Sequence, residues 1–134
     1  AGLDIGAPLT RALEWFDTAT NLPAWTGFFI EVGPAGSDGR HQAMSLAGQI
    51  TTWIESPWTG STDDVARCEV VICSVIRGRT ERAGLTLERL DAARTRVTFT
   101  VTVLRPGSDA TLRIQRARMA HELAAARRIL EAAA

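Results

Sequence analysis

The chain has 134 residues, 46% of them hydrophobic, 22% charged and 6% aromatic, and its formal net charge is zero, the make-up of one compact folded domain. All fifteen basic residues are arginine and tyrosine is absent, which excludes a Schiff base, a Walker-type phosphate loop, a lysine base and a phenolic acid or nucleophile. The zero balance argues against a strongly basic nucleic-acid binder and against a polybasic membrane anchor.

In chain order, Pro8 opens a short amphipathic helix over residues 8–20 that carries Leu9, Ala12, Leu13 and Phe16 on one face. Asn21 and Pro23 close it, and Trp25 to Val32 reads as a strand with Phe28, Ile30 and Val32 on one side. Gly33 to Gly39 is a loop by composition. Residues 41–55 fit two templates. Ala43, Ala47, Ile50 and Ile54 fall on a helix face, Leu46, Ile50 and Ile54 also fit strand alternation, and the spacing prefers the helix.

Arg67 to Arg77 is an apolar strand on both faces, with Cys68, Val70, Ile72 and Ile76 on one and Val71, Cys73 and Val75 on the other. Such a strand sits at the centre of a sheet or meets another subunit. An arginine-rich turn is expected over Gly78 to Gly84, then a partner strand from Leu85 that turns near Asp91 to Arg94. From Thr95 to Leu104, Val97, Phe99, Val101 and Val103 alternate with Thr98, Thr100 and Thr102, a strand with one apolar and one polar face. Pro106 and Gly107 break it, and a helix runs to the C-terminus with Leu112, Met119, Leu123, Ala126 and Leu130 in one narrow stripe. The expected fold is a single α+β domain over residues 1–134: an N-terminal helix, an antiparallel sheet with a central three-strand meander, and a long C-terminal amphipathic helix packed on the sheet.

Cys68 and Cys73 are five positions apart, so on a strand they point to opposite faces and read as two small core thiols rather than a disulfide or metal pair. No basic and apolar leader pattern is present, and no run approaches the ~18 apolar residues of a membrane span. The expected location is therefore cytoplasmic or virion-associated rather than secreted.

Catalytic signals are sparse. The spacing of Gly33, Gly36 and Gly39 is not a dinucleotide fingerprint, Pro34 lacks a donor and Asp38 repels an anion. His121-Glu122 begins a zinc-protease-like pair, but Ala125 stands where the second histidine belongs, and His41 reads as solvated beside Arg40. No catalytic, cofactor-binding or metal residue is assigned, and no cofactor is expected. Aromatic residues gather at Trp15, Phe16, Trp25, Phe28, Phe29, Trp53 and Trp58, which reads as core and rim, with Trp58 as a contact residue.

The charge is divided along the chain. Residues 1–66 hold two arginines against eight acids, a balance of −6, and residues 67–134 hold thirteen arginines against seven acids, +6. Kept apart by the fold, such halves let identical copies dock head to tail into a ring or tube. The preferred expectation is accordingly a non-enzymatic, homo-oligomeric assembly subunit of the viral head-to-tail or tail-end connector type, or of a similar injection apparatus. Its interface candidates are Trp58, Asp63, Asp64, Arg77, Arg79, Arg82, Arg113 and Arg116. Two alternatives stand beside it: a small ligand-binding domain or enzyme with an aromatic-lined cavity, and a nucleic-acid accessory protein using the arginine-rich C-terminal helix.

Overall fold

The structure, a computed structural model, describes residues 1–55, 66–101 and 109–132, with the side chains of 101–115 outside that description. It is a single domain. In chain order come β1 (Gly2–Ile5), α1 (Leu9–Phe16), a 3-10 turn (Ala19–Asn21), α2 (Leu22–Trp25), β2 (Phe29–Ala35), β3 (His41–Ser45), β4 (Gly48–Glu55), β5 (Arg67–Ile76), β6 (Arg79–Asp91), β7 (Arg94–Val101) and α3 (Asp109–Ala132). The strands form one antiparallel sheet in the order β1-β7-β6-β5-β4-β3-β2. The two-faced apolar strand is thus β5, central as its pattern requires. No helix among the described residues is long and apolar enough to cross a membrane.

One sheet face carries the core. Leu3, Val97, Leu87 and Cys68 stand in one cross-strand row, and Phe99, Leu85 and Val70 in the next. Helix α1 packs on β5, β6 and β7 through Leu9, Ala12, Leu13 and Phe16, all buried. Helix α3 lies against β1, β7 and α2, burying Leu123, Ala126 and Leu130. The ends of the chain are tied together there: Arg11 donates to the Leu130 carbonyl, and the Gly6 amide donates to Glu131 at 2.9 Å. Edge-to-face rings run from Trp15 through Phe16 and Trp25 to Phe99, with centroids 5.1, 5.3 and 5.5 Å apart.

Several expectations are corrected. Residues 41–55 are a β-hairpin, not a helix: Gly48 takes φ 91° at the turn, and β-branched Ile50, Thr51, Thr52 and Ile54 prefer a pleated strand. The first helix is interrupted, since α1 stops at Phe16 and Trp25 closes α2 instead of opening a strand. A register shift between Phe29 and Glu31 interrupts the alternation of β2, so Phe29 is buried and Ile30 is 60% exposed, while Phe28 and Val32 pack against the core as expected. The arginine-rich turn is only Arg77 and Gly78, both at positive φ, and β6 already begins at Arg79. β1 is an element that the periodicity does not predict; it extends the meander by pairing with β7.

The charge halves interleave in the sheet. β1 stands at one edge, β2, β3 and β4 at the other, and β5, β6 and β7 from the second half of the chain lie between them. Arg96 on β7 pairs with Asp4 on β1 at 2.8 Å, and this contact lowers the Asp4 pKa and raises that of Arg96. At that edge a charge of the acidic half is thus paired with one of the basic half.

Candidate functional site

Between α3 and the sheet, beside the loop that joins α2 to β2, lies a cavity of about 360 Å³. β5 supplies its floor with Ile72, Ser74 and Ile76, extended by Ala83 and Glu81 on β6 and Phe99 on β7. These side chains converge because of register: Ile72 stands opposite Ala83, and Ser74 opposite Glu81. Thr26, Phe28 and Phe29 form a wall in which the two phenyl rings meet edge to face at 5.2 Å. Arg118, Met119 and Glu122 of α3 form the roof. Phe28, Ile76 and Glu81 also border an adjoining surface groove that continues to Ala47, Arg77 and Arg79, and this junction is the mouth.

Glu122 holds wall to roof. It is only 6% exposed, and one carboxylate oxygen accepts the Gly27 backbone N–H at 2.9 Å while the other faces the Arg118 Nε at 3.4 Å. A buried carboxylate is tolerated where its oxygens are claimed in this way. The clasp fixes the start of β2, and with it Phe28 and Phe29, against α3.

The polar groups of the floor and wall are ordered by neighbouring backbone. Thr52 on β4 donates to the Cys73 carbonyl at 2.8 Å and meets the Ser74 hydroxyl at 3.2 Å. Thr26 donates to the Leu22 carbonyl and receives the Phe29 N–H. Neither histidine is among the described lining residues. His41 bonds the Gly33 carbonyl through Nδ1 at 2.7 Å, and His121 is exposed on α3.

The sequence-predicted contact residues scatter. Arg77 and Arg79 come together at the mouth. Arg82 borders the cavity between Glu81 and Ala83, while its side chain reaches the Cys73 thiol opposite it on β5. Arg116 is exposed on α3. Trp58, Asp63 and Asp64 lie outside the described residues, as does the side chain of Arg113. Of the aromatic set, Phe28 and Phe29 reach the cavity; Trp15, Phe16 and Trp25 fill the core, and Trp53 stacks under Arg40 at 4.1 Å on the outer face.

Sequence reasoning missed Ser74, Glu81 and Glu122. A signal for Glu122 existed: at about 100° per residue it falls within about 60° of Met119 and directly flanks the apolar stripe. Cys68 and Cys73 do face opposite sides of β5. Both are buried, and lost hydration raises both thiol pKa values.

No protein-family model matches the chain, and no curated protein sequence matches it. Its fold is similar to that of solved structures. A START superfamily protein from Mycobacterium smegmatis aligns with TM-score 0.65 at 8% identity over 100% of this chain and 97% of that one. The protein XoxI from Bacillus cereus aligns with TM-score 0.62 at 11% identity over 97% and 92% of the two chains. The di-domain ARO/CYC StfQ from the steffimycin biosynthetic pathway aligns with TM-score 0.61 at 16% identity over 98% of this chain and 44% of that one. These likenesses in fold correct the expectation of a virion-assembly connector, since the solved structures that share the fold include a START superfamily protein and an ARO/CYC protein.

Proposed function

We propose that the chain is a small-molecule-binding domain that takes an apolar, ring-containing ligand into the cavity between α3 and the sheet. The observation that carries this reading is the cavity itself, about 360 Å³ walled largely by Phe28, Phe29, Ile72, Ile76, Phe99 and Met119. Ligand sites are concave, mostly apolar and punctuated by a few placed polar groups, and this volume lies at the small end of their range. The likeness in fold to a START superfamily protein and to the ARO/CYC protein StfQ supports the same reading. Binding is preferred to acid–base catalysis because Glu122 is committed to Gly27 and Arg118, and no histidine among the described lining residues accompanies Glu81, the other lining carboxylate.

Titration with N-phenyl-1-naphthylamine, whose fluorescence rises in an apolar site, tests the proposal. The expected result is saturable binding that Ala83→Phe abolishes, because Ala83 lines the floor opposite Ile72 and the added ring fills the space. Unchanged binding in a folded Ala83→Phe variant would place the dye elsewhere and sink the proposal.

A further inference from the structure

The polar floor of the cavity has a direction. A hydroxyl carries one proton, and that of Thr52 is spent on the Cys73 carbonyl at 2.8 Å. In the 3.2 Å contact between Thr52 and Ser74, the proton must therefore come from Ser74. With its proton held toward Thr52, Ser74 turns only lone pairs to the cavity that it lines. Across the strand pair stands Glu81, whose carboxylate makes no hydrogen bond or ion pair among the described residues. Thr26, on the wall, follows the same logic, since its proton goes to the Leu22 carbonyl. Of the donor-bearing residues that border the cavity, Arg118 on the roof is 57% exposed and directs its Nε toward Glu122, and Arg82 on β6 turns its side chain to the Cys73 thiol.

We infer that the cavity selects ligands that present a hydrogen-bond donor, an alcohol or phenol hydroxyl, toward Ser74 and Glu81, and rejects molecules of the same shape whose only polar atom is an acceptor. The inference rests on the reading of the cavity as a ligand site. A ligand hydroxyl has one proton to give to Glu81 or to Ser74, whereas an ether oxygen has none and faces the lone pairs of both with its own. A hydrogen bond to a charged group is among the stronger ones in proteins, so the preference is expected to be about tenfold or more.

The test uses a matched pair, 2-naphthol and 2-methoxynaphthalene, competing with N-phenyl-1-naphthylamine on the intact chain at neutral pH. The methyl ether is the more apolar of the two, so a site that reads only hydrophobicity favours it. Preference of about tenfold for 2-naphthol in the unaltered protein is the expected result. In Ser74→Ala and Glu81→Leu that ratio falls toward one, while 2-methoxynaphthalene binds as well as before or better. Equal displacement by both compounds, or a preference for the ether, overturns the donor inference and leaves the cavity standing as a binding site. Absence of any dye binding overturns the cavity reading and the inference with it.

Discussion

A carboxylate on the inner side of a helix is costly unless its oxygens are claimed, and Glu122 has both claimed. The two claims differ in kind. The Gly27 N–H is a backbone donor that loses its acceptor if the side chain is cut back, whereas Arg118 is 57% exposed and turns to water. Glu122→Ala is therefore expected to cost about 1.5–3 kcal/mol, the worth of a hydrogen bond to a charged group. Glu122→Gln keeps an acceptor for Gly27 and loses only the attraction to Arg118, about 0–1 kcal/mol at a half-exposed pair. Urea unfolding midpoints at constant slope distinguish the two; equal losses would mean that the Gly27 contact contributes nothing. Residues of this kind are the hardest to read from sequence. The i,i+4 spacing of Arg118 and Glu122 looks like any surface ion pair, and only the packing of α3 against the α2–β2 junction shows that one partner is inside.

At the scale of elements, legibility followed the strength of the period. The threonine-alternating strand forms as far as Val101, its last three expected residues lying outside the described ones, β5 takes the centre as its pattern demands, and α1 buries the four residues that its spacing selects. The β3–β4 hairpin misled because a short apolar pattern satisfies both templates. The deciding features were local, a glycine able to take φ 91° and a run of β-branched residues. β1 was illegible because four residues, Gly2–Ile5, carry too little alternation; it exists because β7 offers it an edge. Helix α1 ends in an electrostatic conflict. Asp17 caps its C-terminus, where a negative charge opposes the helix dipole, and lost hydration raises its pKa above the ordinary 3.8. A raised carboxyl pKa favours the folded state in acid, and that advantage fades as pH rises through the folded value. Asp17→Asn, neutral throughout, is thus expected to be more stable than the parent at pH 7 by about 0.3–1 kcal/mol. Denaturation at pH 7 and again near pH 3, where the parent carboxyl is largely protonated, should show the gain and then its disappearance. A gain that persists in acid would point to a cause other than charge.

At the scale of the molecule, a net charge of zero split into −6 and +6 suggested a bipolar subunit. The sheet order places β1 of the acidic half against β7 of the basic half, so chain order alone does not sort the charge in space. Sequence distance is a poor guide to spatial distance where the first strand closes onto the last. The same closure brings α3 across the sheet and leaves space beside Phe28, Phe29 and Phe99, a void that no linear pattern announces because its lining comes from α3, the α2–β2 junction and three strands. A void that binds only in the folded state links occupancy to stability by mass action. With N-phenyl-1-naphthylamine at one hundred times its dissociation constant, folding is favoured by about 2.7 kcal/mol. For a chain of this length that corresponds to a rise in melting temperature of roughly 10 °C. Scanning calorimetry should show the rise for the parent protein and none for Ala83→Phe, whose melting temperature without dye serves as its own reference. An equal rise in both proteins would mean that the dye stabilises through the surface, and the cavity would lose its claim to be the site.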